Sequence, residues 1–120
     1  MTTKKAAEPI APEDCADMDA VRAQIDRVDS ALVDLVAERW GYVDRIWRLK
    51  DSPDQARVPW RIQQVILKVR ARAETRGFPP ELAEALWRQL IGWGIQYEEE
   101  KLRQKPGADG DPEGGEKPGS

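Results

Sequence analysis

Histidine is absent from the 120 residues, and cysteine occurs once, at Cys15. These gaps exclude the Ser-His-Asp triad, the Cys-His pair and every zinc site that needs an imidazole, because each depends on a group this chain does not contain. A single thiol also rules out a disulfide framework within the chain. Long apolar runs are missing too. No stretch of about 18 consecutive apolar residues occurs, and Met1-Thr2-Thr3-Lys4-Lys5 leads into Ala6-Ala7-Glu8-Pro9 without the apolar segment of a signal peptide, so a cytoplasmic protein is expected. Excess charge is small. The net value is −3, and two of those units belong to residues 105–120, where Lys105 and Lys117 face Asp109, Asp111, Glu113 and Glu116. A near-neutral body gives no basic footprint for nucleic acid, and the cluster Lys68, Arg70, Arg72 and Arg76 reads as the solvated face of a helix. At 13.6 kDa the chain holds one small domain. Its chemistry must come from Arg, Lys, Asp, Glu, Gln, Tyr and backbone groups, which means binding and electrostatics. No metal or organic cofactor is implied.

What is present is helical punctuation. Five of the nine glycines and three of the nine prolines lie in residues 105–120, which lack large apolar side chains and are expected to be a disordered tail. Residues 1–12 are expected to be disordered as well, with Pro9 and Pro12 against helix formation, leaving a folded domain over 13–104. Within it Pro53, Pro59, Pro79 and Pro80 delimit three helices, an all-α chain with no strand signal. Met18, Val21, Ile25, Val28, Leu32 and Leu35 recur at spacings of three and four, giving a first helix of about 32 residues and roughly 48 Å. Asp17 or Asp19 can cap its start, and Asp51-Ser52-Pro53 ends it. A body of about 90 residues has a radius of gyration near 12 Å, so such a helix projects with its apolar stripe uncovered. A second copy packed antiparallel covers it, and a helical homodimer is expected. The second helix starts at Pro59, carries Ile62, Val65, Ile66, Val69 and Ala73, and stops at Gly77. The third starts at Pro79-Pro80-Glu81, with Leu82, Leu86, Leu90, Trp93 and Tyr97 on one packing face and Trp87, Ile91, Gly94 and Glu98 on an adjacent line.

The first stripe then becomes irregular. Heptad spacing beyond Leu35 gives Arg39, Val43, Ile46 and Lys50, placing two cations where apolar residues are expected. Buried cations need anions, supplied either by an external ligand or by internal acids such as Glu38 or Asp44; snorkelling to solvent is a third possibility. Arg39 and Lys50 are eleven residues apart, about 20° in rotation and ~16 Å in rise, so their side chains can converge on a small polyanion. Arg61 and Glu98 can line the same cavity if the helices pack, with Gly94 leaving space there. Arg22 lies about 25 Å before Arg39 and can reach only a partner's ligand.

The run Val21-Arg22-Ala23-Gln24-Ile25-Asp26-Arg27-Val28-Asp29, then Leu35-Val36-Ala37-Glu38-Arg39, Lys50 and Arg61, resembles the all-helical chorismate mutases over about residues 15–103. The resemblance implies an intertwined dimer of three-helix chains with two sites. It implies that Arg39 grips a substrate carboxylate, Arg22 enters from the other subunit, Lys50 sits by the ether oxygen and a carboxylate, and Arg61 shapes the site. Conversion of chorismate to prephenate is an intramolecular pericyclic rearrangement without nucleophile or net proton transfer, so the missing histidine is no handicap. The enzyme must hold the dianion in its compact diaxial conformer and stabilise charge on the ether oxygen.

Four positions depart from familiar members. Glu98 stands where a glutamine usually donates to the ether oxygen; an ionised carboxylate there repels the developing charge, so only the protonated form helps. Activity is expected to fall as pH rises, and Glu98→Gln to flatten that dependence. Gln96 and Tyr97 are the alternative occupants one turn away. Gly94 replaces a common serine, while Val58 and Ile62 replace acids near the ring hydroxyl. The apolar Ile62, the eleven-residue interval from Lys50 to Arg61 and the start Pro12-Glu13-Asp14-Cys15 are also similar to isochorismate-pyruvate lyases, which release salicylate by a related pericyclic route. The mutase is the leading expectation; a helical dimer kept as a non-catalytic binding module is the third. Trp60, beside Arg61, reads as a core residue or a ligand contact.

Overall fold

The computed structural model describes residues 8–106; the remaining parts of the expected disordered segments, 1–7 and 107–120, lie outside the described residues. Three α-helices form, α1 (Met18–Leu49), α2 (Pro59–Thr75) and α3 (Pro80–Gln104), with 3₁₀ turns at Pro12–Asp14 and Pro53–Gln55 and no strand among the described residues. None of these helices is long and apolar enough to cross a membrane. The all-α expectation holds, and α1 has the expected 32 residues. The chain divides into two compact units, Met1–Gly41 and Tyr42–Ser120.

In the first unit, Asp17 caps α1 through its carboxylate, which accepts from the Ala20 amide at 2.9 Å. Residues 8–12, expected to be disordered, are tied to α1 by Gln24. Its amide donates to the Glu8 carbonyl at 2.8 Å and accepts from the Ile10 amide at 3.2 Å. Arg27 holds the same Gln24 oxygen at 2.9 Å. The stripe that suggested a partner is uncovered in the single chain: Met18, Ile25, Leu32 and Leu35 are 57%, 52%, 52% and 62% exposed.

The second unit builds its core from Ala56, Ile95 and Leu102, against which Trp47, Ile62 and Ile91 pack. Ile66 and Ala73 of α2 and Ala83 of α3 are buried too. Arg70 of α2 reaches Glu84 of α3 at 2.8 Å. Gly77 ends α2 at φ 71°. There the Phe78 and Gly77 amides donate back to the carbonyls of Ala73 and Glu74, the paired bonds of a Schellman stop that favour glycine.

The third helix corrects the sequence reading. Leu82, Leu86 and Trp93, assigned to its packing face, are exposed; its buried residues are Ala83, Gly94, Ile95, Glu98 and Leu102. Periodicity identified the apolar stripe richest in large side chains, whereas the single chain covers the neighbouring stripe that holds the small ones. Trp60 is 70% exposed, so it is not a core residue.

Candidate active site

The site begins where α1 runs out. Lys50 is the residue immediately after α1, and its ammonium donates to Glu98 Oε1 on α3 at 2.9 Å, with 22% and 8% of the two side chains exposed. Glu98 is the buried charged residue among those described. Lys50 therefore does not await an external anion: α3 supplies one, the internal pairing considered from the sequence, but from an acid 48 residues away. The backbone here is held from just beyond the C-terminus of α3. Lys105, expected in the disordered tail, donates its ammonium to the carbonyls of Arg48 at 3.0 Å and Lys50 at 2.7 Å. Those carbonyls lack helical partners at the C-terminus of α1, so one cation satisfies two of them and fixes the chain direction at Lys50.

One turn before Glu98, Gly94 lies against Val43. A Cβ added there would stand 3.5 and 3.7 Å from the two Val43 methyls, ordinary contact distances. Gly94 thus borders Val43 with room for a Cβ between them. Val58, half-buried, is the N-cap residue of α2 and shares with Lys50, Asp54 and Arg57 an open hollow of about 460 Å³. Ile62 packs on the Ala56, Ile95 and Leu102 core, so its apolar character has a structural reason. Arg61 is exposed and donates to Gln64 at 2.6 Å on its own helix, rather than joining the Lys50 and Glu98 pair. In the other unit Arg22 is exposed, and Arg39 is half-buried and engaged.

The alternatives to Glu98 have other surroundings. Gln96 is exposed, and Tyr97 donates its hydroxyl to Asp44 Oδ1 at 2.5 Å. Asp44 is the hub that sequence reasoning offered only as a partner for cations on its own helix. It also accepts from Trp47 Nε1 at 2.8 Å and from Arg48 Nε at 3.2 Å. Residues at i, i+3 and i+4 of one helix can meet, which was the available signal; the link to Tyr97 spans 53 residues and had none.

The hydrogen bonds from Tyr97 and then Trp47, with Arg48 adding its charge, hold the Asp44 carboxyl down at about 2 against an ordinary 3.8. The same bond, and then burial, push the Tyr97 hydroxyl up. With the folded value of Asp44 below the unfolded one, the unfolded chain binds more protons in between. The stabilisation is whole above about pH 4 and is lost as pH falls through about 2. Wild-type Tm should drop more steeply than that of Asp44→Asn across this window; parallel curves would remove Asp44 from this role.

A sequence model of the family described as chorismate mutase type II matches residues 21–99. The chain is 36% identical over 98 residues to an isochorismate pyruvate lyase of Pseudomonas aeruginosa, covering 81% of this chain and 96% of the relative. It is 34% identical over 87 residues to the T-protein of Enterobacter agglomerans, covering 72% of this chain but only 23% of that longer protein.

Proposed function

The chain belongs to the chorismate mutase type II family, and from that premise we propose that it is an isomerase converting chorismate to prephenate in aromatic amino acid biosynthesis, acting as a cytoplasmic homodimer. The observation that carries this reading is the buried pairing of Lys50 with Glu98. The reaction needs a preorganised cation beside the ether oxygen as its C–O bond breaks, and the rim of α1 presents one whose backbone and side chain are both held. Lys50 is a compact point charge suited to that oxygen. Arg39 suits a carboxylate because a guanidinium fork matches it in two bonds, and the partner's Arg22 takes a similar role at the site it enters. Val58 borders the site at Lys50. Arg61, Ile62 and Gly94 complete the proposed substrate-binding set, Arg61 by shaping the site. One oriented donor on that oxygen contributes on the order of 3 kcal/mol, about 10²–10³-fold in rate.

Paired at 2.9 Å, the Glu98 carboxylate orients the Lys50 ammonium but repels charge growing on the ether oxygen. Glu98→Gln, whose amide can donate to that oxygen, should therefore keep kcat within about tenfold of the wild type; a loss of about 10²-fold or more would show that the reaction depends on the ion pair itself.

A second reading, isochorismate-pyruvate lyase, is favoured by the near full-length similarity to the Pseudomonas aeruginosa enzyme and by apolar Val58 and Ile62. Parallel incubations of the purified protein with chorismate and with isochorismate test the two. Faster prephenate formation is expected; faster salicylate formation would transfer the assignment to the lyase, and neither product would leave the non-catalytic module.

A further inference from the structure

A second cationic feature lies apart from the Lys50 and Glu98 side chains. At the C-terminal ends of α1 and α3, Arg45, Arg48, Lys101 and Lys105 surround a hollow of about 530 Å³, with Trp47 and Gln104 completing its wall. The ordinary explanation for cations in such places is the helix dipole, but each helix terminus supplies only about half a negative charge, roughly one unit for the two together. Four cations exceed that. Two of them have their own partners: Arg48 meets Asp44 at 3.2 Å and lies 4.6 Å from the centre of the Trp47 ring, while Lys105 is bound to the Arg48 and Lys50 carbonyls. The neighbouring acid Glu100 is taken by Arg103 and Gln104. Lys101 has the Tyr97 ring 5.7 Å away and acts on Glu100 only through its charge, and neither it nor Arg45 has an ion-pair contact among the described residues.

We propose that this hollow is an anion site, distinct from the active site, that takes a small multiply charged anion of the phosphate or polycarboxylate class, with Arg45 and Lys101 as its principal donors. Its position makes it regulatory. Lys105 faces the hollow and at the same time holds the carbonyl of Lys50 at 2.7 Å. An anion that draws Lys105 toward itself weakens the grip on the end of α1, and the Lys50 ammonium loses its preorganised position. Occupancy therefore lowers kcat while leaving the substrate contacts of Arg39 intact. That effect on turnover rests on the function proposed above, whereas binding itself does not.

Calorimetric titration of the full chain with pyrophosphate and, separately, with citrate tests the site, using sodium chloride at matched ionic strength as the reference. Arg45→Gln/Lys101→Gln is expected to weaken binding about tenfold or more, as loss of two charge-assisted donors requires, while Lys50→Gln leaves it within about twofold. Pyrophosphate binding alone assigns the site to phosphate compounds, citrate binding alone to polycarboxylates; either outcome supports it. In the chorismate assay the double variant should keep its basal rate and lose the anion-dependent fall in kcat. The proposal is overturned if the double variant titrates like the wild type, if Lys50→Gln abolishes binding, or if sodium chloride reproduces the whole effect. Should the protein turn over neither chorismate nor isochorismate, calorimetry still decides the site, so the two proposals fail separately.

Discussion

Replacing Lys50 with glutamine is expected to lower kcat for the chorismate rearrangement by about 10²–10³-fold, the usual cost of losing one preorganised donor to a developing oxyanion. Glutamine keeps a hydrogen-bonding terminus but removes the charge that the breaking C–O bond calls for. The same change strands Glu98, whose side chain is only 8% exposed and whose ammonium partner would be gone. Removing one member of a buried pair costs about 3 kcal/mol, so stability should fall along with rate. The two consequences are separable. In Lys50→Gln/Glu98→Gln no buried charge is left unpaired, and urea denaturation should return most of the lost stability, while kcat stays at least about 10²-fold below the wild type because the cation is still missing. Recovery of rate together with stability would show that Lys50 matters only as the ionic partner of Glu98. Lys50→Arg separates charge from shape: a planar fork in place of a point charge should keep the ion pair and regain only part of the rate.

Local signals carried the fold further than they carried the site. The extents of all three helices follow from residues that act over one turn: Asp17 capping α1, Pro53 and Pro59 on either side of the connection, Gly77 in its left-handed conformation and Pro80 opening α3. Lys50 and Glu98 were each singled out, one as a cation breaking an apolar stripe and the other as an acid on an apolar helix line. Their direct bond was not legible, because no pattern along the chain relates positions 48 residues apart. Lys105 shows the same limit. Its glycine-rich and proline-rich surroundings suggest a tail, yet it anchors the carbonyls beside the candidate catalytic lysine. The third helix misled for a different reason. Hydrophobic spacing cannot tell a face covered within the chain from one left for another surface, so Leu82, Leu86 and Trp93 looked like core while Ala83 and Gly94, too small to stand out, are among the residues the chain buries.

Mixing two inactive variants should restore activity. Arg22→Ala and Lys50→Gln are each expected to reduce turnover at least about 10²-fold, yet together, after subunit exchange, they should recover about a quarter of the wild-type rate. The apolar stripe of α1 is uncovered in the single chain, with Met18, Ile25, Leu32 and Leu35 all more than half exposed, an arrangement that a second copy of the same helix would satisfy. Arg22 stands about 25 Å along α1 from Arg39, too far for both side chains to hold one small substrate within a single subunit. In the proposed antiparallel pair that same distance would bring the partner's Arg22 to the site. Random pairing makes half of the dimers mixed. In each mixed dimer one site then receives both substitutions and the other receives neither, so one site in four is intact. If Arg22 served the site of its own chain, every site in the mixture would carry one substitution or the other, and the mixture would be no more active than its components. The measurement is the initial rate of prephenate formation before and after exchange, at fixed total protein. A Leu32→Asp/Leu35→Asp chain, which places like charges within the apolar stripe, should run as a monomer in size-exclusion chromatography and fail to complement either variant.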